Sequence, residues 1–391
     1  MVAGIPTRSQ RKSKRSYSNA SNEEDRDMPF SDVIGHERPK AILQAALRHD
    51  RVAHAYLFHG DDGIGKRLTA LRFAQTIHCD LEWPAQGPDA CGGCRSCRQI
   101  EARTHPDFLV IEPDPEQTPS THSASSGQAR SASPEPRRGG QATPQIKIEQ
   151  VREIEHQIIY KPLIGRRKIC LIDEADRLTP GAANALLKTL EEPPAHSLFL
   201  LVSSRPAALP ATVRSRCQPL RFAAPARTQV EAALILKREL PPADARFLTM
   251  LTESKIGVAL STDLKAVRGQ REDLRMLVSP NALQSVTTLL SAAEALHKEQ
   301  RANEALEWLA RWLRDMLLVR VGADADSLLN ADQLGELQAL ARTLSPEAIV
   351  DILSEIETIQ RAATRNPNLQ LALETILLRL REATPASRVS V

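Results

Sequence analysis

Aromatic residues are scarce in this 391-residue chain, at 3%. Ala and Leu dominate instead, which favours helices over an all-β sandwich. An excess of charge of one sign is lacking too. Lys and Arg number 51 against 48 Asp and Glu, a net charge of +3. Bulk electrostatics therefore supply no argument for nucleic-acid binding. No apolar run approaches the roughly 20 residues that span a bilayer, so no membrane partner is expected. The first 27 residues have no apolar core segment, so no secretory signal is read there. Six cysteines are too few and too clustered for a secreted disulfide scaffold. The expectation is a soluble, cytoplasmic protein.

What is present supports a buried core: 42% of residues are apolar and 25% charged. The length suits two or three domains. Residues 1–28 are polar, first basic (Arg8, Arg11, Lys12, Lys14, Arg15) and then acidic (Glu23, Glu24, Asp25). They bury no continuous face and read as a disordered tail. A basic tail can touch DNA, although a solvated extension is the plainer reading. Residues 113–145 contain no Val, Ile, Leu, Met, Phe, Tyr or Trp and are rich in Pro, Ser, Gly and Gln. They read as a disordered insertion in a folded domain, tolerated because loop-closure entropy grows slowly with length.

Between Phe30 and Phe222 helical and strand patterns alternate. Ala55–Phe58, Phe108–Ile111, Lys168–Ile172 and Leu198–Val202 are mostly apolar runs of strand length. Such runs suit a parallel sheet covered on both faces. Helical spacing is read over Lys40–His49, from Leu68 to Ile77 and over Ile146–Ile159. Thr179-Pro180 makes a helix start, and Pro193-Pro194 an end. The pattern predicts a doubly wound α/β domain over residues 29–222. After Pro225 strand signals stop. A small helical unit is expected over 223–271, a larger one over 272–385, and a short tail over 386–391. Stripes such as Leu306, Leu309, Leu313 and Leu317 serve either a packed core or an assembly surface.

Gly60-Asp61-Asp62-Gly63-Ile64-Gly65-Lys66 follows a strand and opens a helix, and matches the G-x-x-x-x-G-K phosphate loop. Glycines let backbone N–H groups wrap an anion, and Lys66 would reach the terminal phosphates. The next residue should carry the hydroxyl that ligates Mg²⁺, but it is Arg67. Thr69, two positions further on, would face another direction on the helix. Asp61 and Asp62 add negative charge beside the phosphates. Weak or vestigial ATP binding is expected. Asp173 and Glu174 end the Lys168–Ile172 strand, where ligands bind in open α/β sheets. In a P-loop ATPase the Asp holds the metal shell and the Glu polarises the attacking water.

Cys79, Cys91, Cys94 and Cys97 form C-x11-C-x2-C-x2-C. Four thiolates at this spacing suit tetrahedral structural zinc in a module over 79–97. Gly92 and Gly93 permit the tight loop. An iron–sulfur cluster, or thiols free or disulfide-linked, are the other readings. Cys170, in a core strand, and Cys217 lie outside the cluster.

Phe30-Ser31-Asp32-Val33-Ile34-Gly35, His54–Gly60, the run Asn184–Pro194 and Ser215-Arg216-Cys217 together resemble the bacterial DNA polymerase III clamp-loader AAA+ family. The cysteine cluster after the phosphate-loop helix is similar to a family feature. So is Arg314-Asp315-Met316-Leu317-Leu318, which resembles a collar motif. The resemblance implies an AAA+ domain with a zinc module, then a helical lid and a helical collar that oligomerises. It implies a ring that opens the sliding clamp with ATP and places it on primed DNA. Its partners would be the gamma/tau and delta subunits, the clamp and, through the complex, primer-template DNA. Arg216 would be an arginine finger acting in trans on a neighbour's ATP site, a task suited to a planar, always-charged group. In the lid, Gly257 stands where motor subunits carry a sensor Arg, and Ser203 or Ser204 where the first sensor residue is expected. Arg67 and Gly257 are the two departures from the motor pattern, and with them the resemblance implies a stationary subunit. An ATP-hydrolysing motor subunit, an independent P-loop ATPase and a purely structural zinc protein are the competing readings.

Overall fold

The computed structural model describes residues 30, 32–83, 88–114, 144–362 and 368–384. The tails expected over 1–28 and 386–391, and all but the ends of the 113–145 insertion, lie outside the described residues. At those ends Asp114 pairs with Gln145 as an antiparallel bridge, so the two ends meet side by side.

The chain divides into two compact units. One holds Glu37–Phe58 and Arg67–Leu220, and the other holds Ile34–His36, His59–Lys66 and the chain from Arg221 onward. The first contains most of a five-stranded sheet. Its strands are β1 (Ala55–His59), β2 (Phe108–Ile111), β3 (Lys168–Ile172), β4 (Ser197–Ser203) and β5 (Gln218–Arg221), in the order β2-β3-β4-β1-β5. β3 pairs in parallel with both β2 and β4. Among the described residues, α-helices α1 (Glu37–Arg48), α2 (Lys66–His78), α3 (Arg95–Glu101), α4 (Ile148–Ile158), α5 (Pro180–Glu191) and α6 (Ala211–Arg214) accompany the sheet.

The strands form where apolar runs were read because every residue of β3 and β4 is buried. Leu57, Cys170, Ile172, Phe199 and Leu201 pack with Val151 and Ile154 of α4 and Leu186 and Leu190 of α5. Tyr56 takes an edge-on contact from Phe73 of α2 at 5.8 Å between ring centres. The helix start at Thr179 forms as read: its hydroxyl accepts from the Ala182 N–H at 3.3 Å, and Pro180 opens α5. β5 escaped the sequence reading. It reads Gln-Pro-Leu-Arg and buries only Leu220, as an edge strand carrying Pro does.

The second unit is helical among its described residues beyond β5. α7 (Arg227–Arg238), α8 (Pro242–Leu251), α9 (Ile256–Ser261) and α10 (Leu264–Arg275) come first. Val230, Leu234, Leu248 and Ile256 form their core. Then follow α11 (Pro280–Gln284), α12 (Val286–Lys298), α13 (Ala302–Arg320), α14 (Leu334–Thr343), α15 (Pro346–Arg361) and α16 (Leu369–Ala383). Leu306, Leu309 and Leu313 of α13 pack with Leu337, Ile352 and Leu377. The leucine stripe is therefore core, except Leu317, which is only partly buried. The described residues thus form an α/β domain with parallel pairing at the centre of its sheet, followed by helices. Among the described residues no helix is long and apolar enough to cross a membrane.

Asp315, on α13, is fully buried. Its carboxylate accepts from the Leu329 and Asn330 N–H groups at 3.3 and 2.8 Å and from Asn330 Nδ2 at 2.9 Å. These bonds pin the segment that follows α13. Asp315→Ala would strand those donors in the core and should destabilise the fold by about 3 kcal/mol. The midpoint of denaturant unfolding measures this, and an unchanged midpoint would contradict it.

Candidate functional site

The phosphate loop has the backbone that its glycines predict. Gly63 adopts φ 72° and Gly65 φ 108°, conformations that L side chains rarely adopt. Lys66 is 5% exposed. Its Nζ donates to the carbonyls of Gly60 at 2.7 Å and Asp61 at 2.5 Å, and lies 3.8 Å from the exposed Asp62 carboxylate. The loop is braced by two groups. His36 Nε2 donates to the Ile64 carbonyl at 2.6 Å, a role that no sequence motif signalled. The Gly257 N–H donates to the Gly63 carbonyl at 2.7 Å. A Cβ at position 257 would stand 3.0 Å from that carbonyl oxygen. Glycine at position 257 thus lets α9 lie directly against the loop.

Asp173 and Glu174 lie at the end of β3, as the strand pattern implied. Neither faces an open metal shell. Arg67 Nη1 stands 3.1 Å from Asp173 Oδ2, and Arg67 Nη2 bonds to Glu112. Arg103 Nη1 reaches the other Glu112 oxygen at 3.0 Å. Arg67, Asp173, Glu112 and Arg103 therefore form one chain of charges. Glu174 takes a left-handed conformation at φ 46°, and its Oε2 lies 2.5 Å from Arg177 Nε. Thr69 is buried in α2 and offers no hydroxyl in place of the missing one. The residues do not fit magnesium-bound nucleotide: a guanidinium holds the carboxylate that should face the ion, and the coordinating hydroxyl is absent.

Of the two candidate sensor residues, Ser203 is fully buried and donates to Asp176 Oδ1 at 2.9 Å. The Ser204 N–H donates to the same oxygen at 3.2 Å, and Arg205 Nε pairs with Asp176 Oδ2 at 3.1 Å. Burial alone would raise the Asp176 pKa, but these donors hold it below the usual carboxylate range. The Ser203 hydroxyl is spent on this carboxylate.

Arg216 lies just past α6 with its side chain 34% exposed. Nη1 donates to the Thr212 carbonyl at 2.9 Å, and Nη2 pairs with Glu191 Oε1 at 2.7 Å. Glu191 is the last residue of α5 and belongs to the Asn184–Pro194 run. The Asn184–Pro194 run and the Ser215-Arg216-Cys217 segment thus meet at one guanidinium. That pairing was not legible in the spacing.

The sulfur atoms of Cys79, Cys91, Cys94 and Cys97 all lie within 4.8 Å of one another. Tetrahedral zinc with Zn–S of about 2.3 Å sets sulfurs roughly 3.8 Å apart, so the set is compact enough. Backbone N–H groups point at the sulfurs: Cys91 to Cys79 at 3.4 Å, Cys94 to Cys91 at 3.2 Å and Cys97 to Cys94 at 3.4 Å. Burial pushes the Cys79 and Cys97 thiols up. At Cys91 burial also acts upward, but the N–H donors outweigh it and its pKa falls. Thiolates packed this closely need a cation to offset their repulsion. The four cysteines could hold a metal ion, and Cys170 and Cys217 stand apart from them, buried.

Comparison with known proteins gives the same direction. A family model described as "DNA polymerase III, delta subunit" matches residues 35–226, and its C-terminal counterpart matches residues 270–382. The DNA polymerase III subunit delta' of Escherichia coli K12 is 31% identical over 343 residues, covering 86% of this chain and 92% of the relative. That of Bacillus subtilis is 26% identical over 349 residues, covering 88% and 96%. The tau subunit of Escherichia coli K12 is 31% identical over 367 residues, covering 91% of this chain and 51% of the relative. The chain thus spans about half the length of the tau-type relatives that it matches, but nearly all of the delta' ones. With both family models matched and delta' proteins aligned almost end to end, this chain belongs to the DNA polymerase III delta' subunit family.

Proposed function

We propose that this chain is the stationary delta' subunit of the DNA polymerase III clamp loader. In this reading Arg216 is donated to the ATP site of a neighbouring gamma/tau motor subunit, and the complex places the sliding clamp on primed DNA. The partners are the gamma/tau and delta subunits, the clamp and, through the complex, primer-template DNA, in the cytoplasm. The AAA+ domain spans 29–222, the lid 223–271, and the collar through which the ring assembles 272–385. Zinc is the metal of the cysteine cluster and is structural, because four thiolates leave no open position for substrate.

One observation carries the reading: Arg67 sits on Asp173. A chain that fills its own metal position with a guanidinium has no hydrolytic machinery at that site, while Arg216 stays partly exposed on a short loop. Lys66 supports only weak ATP binding, since β- and γ-phosphate charge is not neutralised by a protein-held cation. This disfavours the motor-subunit and independent-ATPase readings.

The test is ATP turnover by the purified chain, alone and then with motor and delta subunits. Alone it should be negligible, and Glu174→Gln should leave that background unchanged. In the mixture the chain should co-elute in a larger assembly that loads clamps. A steady rate from the isolated chain, abolished by Glu174→Gln, would return the motor reading to first place.

A further inference from the structure

We propose that Arg67 is a built-in replacement for the divalent cation, so that this AAA+ domain keeps a metal-bound arrangement without metal or nucleotide. The proposal rests on reading Asp173 as the metal-shell carboxylate, but not on any role of Arg216.

The geometry goes beyond loss of a ligand. An arginine that merely lacked the coordinating hydroxyl need not engage the carboxylates around it. Here one nitrogen lies 3.1 Å from Asp173, at the end of β3, and the other bonds Glu112, just beyond β2. Glu112 is held in turn by Arg103 at 3.0 Å. Arg67 stands in the first turn of α2. One side chain therefore ties the start of that helix to the ends of two neighbouring strands. A divalent ion in a P-loop site links these same places, the helix start and the carboxylate at the strand end. A planar fork can bridge two carboxylates, which a lysine ammonium or a hydroxyl does less well. Asp173 is only 11% exposed, so its charge needs a partner close by. The consequence is a subunit whose α/β domain does not change its internal arrangement with nucleotide state.

The converse gives the test. Removing the guanidinium should uncover a cation site made of Asp173 and Glu112. The full zinc-loaded chain is melted with MgCl₂ and, separately, with NaCl of equal ionic strength. Mn²⁺ binding is followed by its paramagnetic signal. Wild-type protein should melt identically in both salts and bind no Mn²⁺ that Asp173→Asn removes. Arg67→Ala should melt roughly 2–4 °C lower in NaCl and recover in MgCl₂. It should bind about one Mn²⁺ per chain, and the further change Asp173→Asn should abolish that binding. Arg67→Lys should fall between, with charge kept and the fork lost. Arg67→Ala that neither binds Mn²⁺ nor responds to Mg²⁺ overturns the proposal. So does wild-type protein that already binds Mn²⁺ through Asp173, a result that needs no folded variant. Loss of clamp loading in an Arg216 variant bears on the proposed function and leaves both outcomes unchanged.

Discussion

Arg216→Ala in the reconstituted complex will cut ATP turnover and clamp loading while lowering this subunit's own melting temperature by no more than about 2–4 °C. The guanidinium bonds the Thr212 carbonyl, the Ser215 hydroxyl and Glu191, which is half-exposed at the end of α5. A partly exposed pair of this kind contributes at most about 1 kcal/mol to stability. In the trans role proposed for it, its effect on phosphoryl transfer would be of another order. Trans-acting arginines stabilise developing charge in the transition state and are worth about 10³–10⁵ in rate at one site. Dilution among several sites reduces this to a several-fold loss for the whole assembly. Arg216→Lys should rescue only in part, since a point charge does not reproduce the planar fork. The measurement is made at saturating subunit concentration, so that assembly and catalysis separate. Undiminished turnover in the Arg216→Ala complex would leave the subunit a scaffold.

Loss of the metal is expected to have the largest effect on stability. The cluster joins Cys79, one residue past α2, to Cys94 and Cys97 at the start of α3, where Cys94 is the cap. Among the described residues, the buried cluster there consists of Cys79, Ala90 and Cys97. Such a module has too small a core to hold itself together. Elemental analysis of protein purified without chelator should find one zinc per chain. Cys97→Ser, or stripping with a mercurial and a chelator, should destabilise the first unit by about 3 kcal/mol or more, a drop in melting temperature on the order of 10 °C. ATP turnover of a complex kept below that temperature should survive, because the metal touches no reacting group. Native protein with no zinc and four freely titrating thiols would refute the assignment.

The two results separate what each residue set does. A chain with Arg216 removed should retain its zinc, and a stripped chain should retain what neighbours require of Arg216 until the domain melts. Activity in each case is read beside the melting curve.

How much of this was legible in residue order follows from the range of the interactions. The buried strands could be read because a run such as Lys168–Ile172 is apolar by composition, and burial on both faces requires that. The cysteine cluster could be read because its ligands fall within one short segment, whose spacing restricts how the thiols can meet. The absence of a hydroxyl after Lys66 was a matter of residue identity. Position in the fold decided the rest. β5 carries Pro219 and one buried side chain, so its place at the sheet edge comes from pairing and not from pattern. Arg67 reads as a loss in sequence. Only folding brings Asp173 and Glu112, distant along the chain, to the same guanidinium and makes it a replacement. Arg216 and Glu191 likewise meet because α5 and α6 end close together. Local periodicity and ligand spacing are encoded within a few residues. Charge pairing across strand ends depends on where the backbone returns, which only the tertiary structure decides.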